Sequence, residues 1–151
     1  MKNYLLLFFC SLFFILNSCD DNENNIEYKT PITTQPIGKG NLSGSYVSQQ
    51  NIVITTTAQW TALLNSLDSV NNISGGFTET NIDFNQFMVI ATFDQVFSNG
   101  GHSIDIITVD ENPQNIVVDL EKLLTGNATS VVTQPYHIVK IPKSTKPVLF
   151  Q

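Results

Sequence analysis

"IDFNQFMVIATF", residues Ile82 to Phe93, is the stretch on which the reading of the fold turns. Its second part, Phe87 to Phe93, is nearly all apolar and too short for a typical helix, which reads as a buried strand. Upstream, Thr56-Thr57-Ala58-Gln59 fits a capping box, in which the Thr56 hydroxyl and the Gln59 side chain satisfy orphan amide hydrogens. Trp60, Leu63, Leu64 and Leu67 follow at i, i+3, i+4 and i+7, so they share one face of an amphipathic helix. Downstream, three further strands are expected at His102–Val109, Asn115–Glu121 and Val131–Ile141, with Asp110-Glu111-Asn112-Pro113 as a turn. One helix followed by consecutive strands predicts an α+β domain: a mainly antiparallel β-sheet packed with one amphipathic helix.

Before that helix, "LSGSYVSQQNIVITT" gives two short strand-like runs, with Ile52, Val53 and Ile54 as candidate core. The folded domain is expected to span 42–151, enough for a single core. Residues 20–41, "DDNENNIEYKTPITTQPIGKGN", are polar, carry two prolines and two glycines and show no periodicity. They read as a flexible linker with an end-to-end distance of roughly 25 Å.

The chain has 151 residues, 13 acids and 7 lysines, with no arginine and a net charge of −6. A protein that tracks a phosphate backbone needs clustered Lys and Arg, so this balance argues against nucleic acid as a partner. Both cysteines, Cys10 and Cys19, lie in the first nineteen residues. The folded part therefore has neither a disulfide framework nor a cysteine metal site.

Those nineteen residues, "MKNYLLLFFCSLFFILNSC", read as an export signal. Lys2 supplies the positive end, and the mostly apolar run Leu5–Leu16 is too short for a permanent span. Leu16-Asn17-Ser18-Cys19 resembles a lipobox, with an aliphatic residue at −3 and a small one at −1. The resemblance implies that signal peptide 1–18 is removed and that Cys19 becomes the acylated first residue. Three acyl chains at about 0.8 kcal/mol per buried CH₂ give on the order of 30 kcal/mol, effectively permanent anchoring to a membrane. The next residues, Asp20-Asp21-Asn22-Glu23, resemble the acidic export tag of surface lipoproteins, although Asp beside the cysteine elsewhere retains lipoproteins in the inner membrane. The expected location is the outer membrane, lipid-anchored and facing outward.

Candidate reactive groups are few. Ser98-Asn99-Gly100-Gly101 interrupts two strand-like runs, and His102 opens the second. Adjacent glycines supply positive φ in a turn or bulge; alternatively residues 97–103 form a protein-contacting loop. His102 and His137 could join Asp94, Asp105 or Glu121 around zinc, but neither an HxH nor an HExxH spacing is present, and no metal or cofactor is expected. No Gly-x-Ser-x-Gly elbow, phosphate loop or recognisable carboxylate pair suggests an enzyme. In "TQPYHIVKIPK", Pro135 cannot donate to a ladder and is expected on an edge or at a bulge. Tyr136, Ile138 and Lys140 fall on one face, and His137, Val139 and Ile141 on the other. Such an edge is either half buried or open to a partner strand.

Three motifs resemble the PrcB C-terminal domain family. Asn81-Ile82-Asp83-Phe84 running into Met88-Val89-Ile90-Ala91 matches its opening. Gly100-Gly101-His102-Ser103-Ile104 matches its Gly-Gly-Tyr-Ser-Ile turn, with His102 in place of the aromatic and Ser98-Asn99 in place of Pro-Thr. Thr133 to Lys143 matches its closing segment, and the Trp60–Leu63 helix sits where the family has its own. The family is named for a lipoprotein subunit of a surface protease complex whose proteolytic activity lies in another subunit. The resemblance implies a non-catalytic accessory or binding subunit with a protein partner, and no catalytic residue is carried over. Expected contact residues are Asn99, Gly100, Gly101, His102 and Ser103, with Gln134, Pro135, Tyr136 and His137. Two other readings stand beside it: a protease inhibitor using the Gly100-Gly101 loop, whose shape is similar to that of chagasin-type inhibitors, and a ligand-binding envelope module.

Overall fold

Phe87–Phe93 forms strand β4, and its neighbours explain its composition. The computed structural model describes residues 29–151; the signal peptide 1–18, Cys19 and linker residues 20–28 lie outside the described residues. Elements follow in the order β1 (Thr30–Pro31), β2 (Gln35–Leu42), β3 (Gln50–Ile54), α1 (Thr57–Leu67), β4, β5 (Asp105–Glu111), β6 (Ile116–Glu121), β7 (Gln134–Pro142) and β8 (Val148–Phe150). They make two four-stranded sheets, ordered β1-β5-β6-β8 and β2-β7-β4-β3. All pairings are antiparallel except β6 with β8. The molecule is an α+β domain with two mainly antiparallel sheets and one α-helix.

The β2-β7-β4-β3 sheet is the middle of three layers. Val89, Ala91 and Phe93 of β4 join Tyr136 and Ile138 of β7 in a core shared with Trp60, Leu63 and Leu67 of α1. Met88 and Ile90 join Val139 and Ile141 in a second core, against Val109, Ile116 and Val118 of the other sheet. A strand buried on both faces has no polar face to show, hence its nearly unbroken apolar run.

The helix starts as its capping residues dictate. Thr56 is extended (φ −137°, ψ 150°) and its side chain accepts from the Gln59 N–H at 3.3 Å. Gln59 Oε1 accepts in turn from the Thr55 N–H at 3.1 Å, one residue before the usual capping-box position. At the other end Asp68 takes the Ser74 N–H at 2.8 Å, turning the chain into a short 3₁₀ segment, Ser74–Gly76. Trp60 donates its indole N–H to the Thr80 carbonyl at 2.8 Å, so its polar edge is satisfied while its rings sit in the core.

Three expectations are corrected. The flexible linker does not reach residue 41: Thr30–Pro31 pairs with β5, and Gln35–Leu42 pairs along β7. On the inward face of β2 stand Gly38, Gly40 and Leu42, and the register shift at Ile37 breaks the alternation, so no apolar period marks the strand. Gly38 is required by close approach, because a Cβ there would meet the Phe77 ring. Second, the strand expected from His102 begins at Asp105, His102 making only an isolated bridge to Thr125. Third, the Pro135 strand is central, with β2 on one side and β4 on the other.

Candidate functional site

The Gly-Gly-His turn is built against a second loop. As the chain runs from Phe97 to Ser103, it pairs antiparallel with 133 back to 124. Phe97 N–H donates to Thr133 (2.8 Å) and Gly100 N–H to Thr129 (3.2 Å). Gly126 N–H donates to Gly101 (3.0 Å), and Ser103 N–H to Leu124 (3.1 Å). Gly101 and Gly126 have φ of +76° and +102°, where a side chain is strained. A Cβ on Gly101 would meet Asn127 at 2.6 Å, and one on Gly126 would meet the His102 ring. The glycines let two backbones approach this closely. His102 stacks on Phe97 with centroids 3.6 Å apart and bonds Asn99 through Nε2 at 3.0 Å, while Asn99 donates to the Asn127 carbonyl at 2.9 Å. Asn99, Gly100, Gly101 and His102 therefore hold the loops together.

Below the turn lies a buried ionic cluster. Asp105, 2% exposed, is paired with Lys39 from the other sheet. It also accepts from the Ser103 hydroxyl at 2.5 Å and the Leu123 N–H at 3.3 Å. Burial alone would raise its pKa, but the bonds from Lys39, Ser103 and Leu123 outweigh this and hold the carboxyl below its ordinary value. His137 stands on the same side of the middle sheet, and its Nδ1 accepts the Ile106 N–H at 2.9 Å. That bond requires the neutral ring, and burial first, then Lys39, lower its pKa against the opposing pull of Asp105. Ser103 donates to the Asp105 carboxylate while the Nδ1 of His137 is taken by backbone, so the imidazole Nδ1 is not the partner of the serine hydroxyl. Among the described residues no group of three His, Cys, Asp or Glu side chains is spaced to hold a metal ion.

Gln134, Pro135 and Tyr136 are buried, which overturns their place among the contact residues. The physical reason is a substitution of donors. The Asp94 N–H donates to the Pro135 carbonyl at 3.0 Å, but proline has no N–H to return to Asp94. Gln134 supplies it: Nε2 donates to the Asp94 carbonyl at 2.8 Å and to the Val47 carbonyl at 2.8 Å, while Oε1 accepts the Val47 N–H at 2.9 Å. Proline is tolerated in a central strand because its neighbour's amide closes the ladder.

What the loops present to solvent is different from what sequence alone singled out. Leu123, Leu124, Val131 and Val132 are 46–59% exposed at the two ends of the 97–103/124–133 ladder. Their signal in the sequence was two aliphatic pairs within polar surroundings. Lys122 beside them is tied to Asp94 at 2.8 Å. This ridge lies at the Asp105 end of β5, whereas the first described residues, Lys29 and Thr30, sit at the Glu111 end, roughly 20 Å away along the strand.

No family model, curated protein or solved structure matches the chain. The three motifs singled out in the sequence build the entry to β4, the Gly-Gly turn and β7.

Proposed function

We propose that the chain is a membrane-anchored, non-catalytic binding subunit of an envelope complex, lipidated at Cys19 and exposed at the outer membrane. The observation that carries the reading is polar separation. The chain from Cys19 enters at one end of the domain, and the exposed Leu123–Leu124 and Val131–Val132 pairs stand at the other. A tether at one pole directs the aliphatic ridge away from the lipid, toward another protein. Single exposed aliphatics are ordinary, but two aliphatic pairs on one loop pinned along the Gly-Gly turn make a surface held in shape. The motif resemblance supports an accessory role, with a surface protease as one candidate partner.

The test compares the full-length chain with Cys19→Ala and Leu124→Asp by cross-linking in intact envelopes. Mass spectrometry should find acyl chains on Cys19, and Cys19→Ala should leave the membrane fraction. One defined cross-linked species should form with the wild type and be lost in Leu124→Asp. A chain that carries no lipid, or that cross-links identically after Leu124→Asp, overturns the reading.

A further inference from the structure

We propose that the outer edge of β3 is a docking strip for an extended peptide segment of a partner protein, which adds as a fifth strand beside Gln50–Ile54. The bond pattern shows which groups are on offer. The Asp94 N–H donates to β7 at Pro135, and the Lys143 N–H donates to the Gln86 carbonyl, so even-numbered residues along β4 turn their backbone groups to β7. Odd-numbered Val89, Ala91 and Phe93 turn theirs to β3, opposite Ile54, Ile52 and Gln50. Asn51 and Val53 therefore aim N–H and C=O outward. Thr55 would be next, but its N–H is already capped by Gln59.

The other edges are protected and this one is not. β2 carries Pro36, two glycines, Lys39 and a register shift; β1 has two residues including Pro31, and β8 only three. β3 has no Pro, Gly, charge or shift over five residues, and among the described residues nothing pairs with its outer side.

The edge is also flanked by a cleft on each face of the sheet. On the helix side a cleft of about 280 Å³ is lined by Ile52, Ile54, Gln59 and Ala62. On the other side a cleft of about 520 Å³ has Leu120 and Phe150 in its lining, with Asn51, Gln151 and the Asp94–Lys122 pair. A strand laid along β3 sends successive side chains alternately into the two clefts. The occupant this reads is an extended segment that alternates small aliphatic residues with hydroxyl- or amide-bearing ones. A second copy meeting edge to edge fits less well: five residues a side fall far short of the about 20–30 that a stable interface uses. The inference stands independently of the lipid anchor and the loop ridge.

The experiment pans a phage-displayed random twelve-residue peptide library against the full-length chain in detergent micelles, then follows backbone amide exchange with a recovered synthetic peptide. Expected are alternating sequences, protection of the Asn51 and Val53 amides only when peptide is present, and at least tenfold weaker binding by Val53→Pro. That substitution removes an outward N–H and no bond to β4. Ala62→Glu, on the exposed helix face, should weaken binding severalfold while leaving the helix intact. No peptide above background overturns the proposal, as does unchanged binding by both variants. Protection of Asn51 and Val53 without peptide also overturns it, since residues 20–28 or a second copy then fill the edge. The ridge variant Leu124→Asp should bind the peptide as the wild type does, which separates this failure from failure of the proposed function.

Discussion

Replacing Gln134 by methionine should destabilise the domain strongly, because its amide closes a gap in the sheet. The two side chains are close in volume, so packing is kept while three hydrogen bonds are lost. The Asp94 carbonyl, which is buried, loses the donor that stands in for Pro135, costing about 2 kcal/mol. The Val47 N–H and C=O are half-buried and regain water in part, adding about 0.7 kcal/mol each. The sum, about 3.5 kcal/mol, is a large share of the ~5–15 kcal/mol that holds a typical domain. Trp60, the sole tryptophan and 2% exposed, reports unfolding by fluorescence in urea. At a slope of ~1.7 kcal/mol/M the midpoint should fall by about 2 M. Pro135→Ala sharpens the test. In the wild type it gains nothing, because the Asp94 carbonyl is occupied, and it loses ~0.5 kcal/mol through a freer unfolded chain. In the Gln134→Met background, the N–H that alanine brings to position 135 can reach Asp94 and recover about 1 kcal/mol. Additive effects of the two changes, or a midpoint shift under 0.5 M for Gln134→Met, would refute the donor-substitution argument.

Three further outcomes follow from the same structure. The ring of His137 is lowered below its ordinary 6.5 in the fold, so the unfolded chain takes the proton first. Its contribution is complete above pH 6.5 and fades as pH falls through the depressed folded value; urea midpoints should drop from pH 7.5 to 5, with a flatter profile in His137→Gln. Asp105→Asn breaks the buried pairing with Lys39, whose own side chain is half exposed, and should cost about 2 kcal/mol at neutral pH. Because its folded pKa lies below the ordinary 3.8, the wild-type advantage should persist above that pH and vanish in stronger acid. Gly126→Ala places a Cβ against His102 at φ +102° and should cost about 1–3 kcal/mol by thermal unfolding, part of which His102→Ala restores.

The α1 helix and β4 were legible because each pattern had one cause. Trp60, Leu63 and Leu67 face one core at helical spacing, and β4 is apolar throughout because it has a core on each side. β2 was hidden because aromatic rings fill the space where its side chains would be: Phe77 lies over Gly38, and Tyr136 is 3.5 Å from a Cβ on Gly40. Sequence rules count side chains, and here the partner strand and a distant loop supply them. Pro135 misled for a related reason. A missing donor signals an edge only when no neighbour replaces it, and nothing in the order Gln134-Pro135 reveals that the amide bends back to Asp94. Within the site, the two glycines were readable as a turn. Their packing against Asn127 and Thr129, and the burial of Asp105 with Lys39, depend on pairings between residues far apart in the chain.

The middle sheet also sets an order of events in time. β2 lies against β7, Gln35 opposite Lys140, so one of the first strands made must wait for nearly the last. Until β7 arrives the middle sheet is split, with β3 and β4 paired beneath the helix and β2 apart from them. Such long-range pairing makes folding slow, in the millisecond-to-second range. It also leaves the domain incomplete until its carboxy-terminal strands arrive. A chain cut short before Gln134 would keep the β3–β4 pair but leave β2 without a partner and the β7-facing side of β4 open, an incomplete sheet rather than a smaller folded domain.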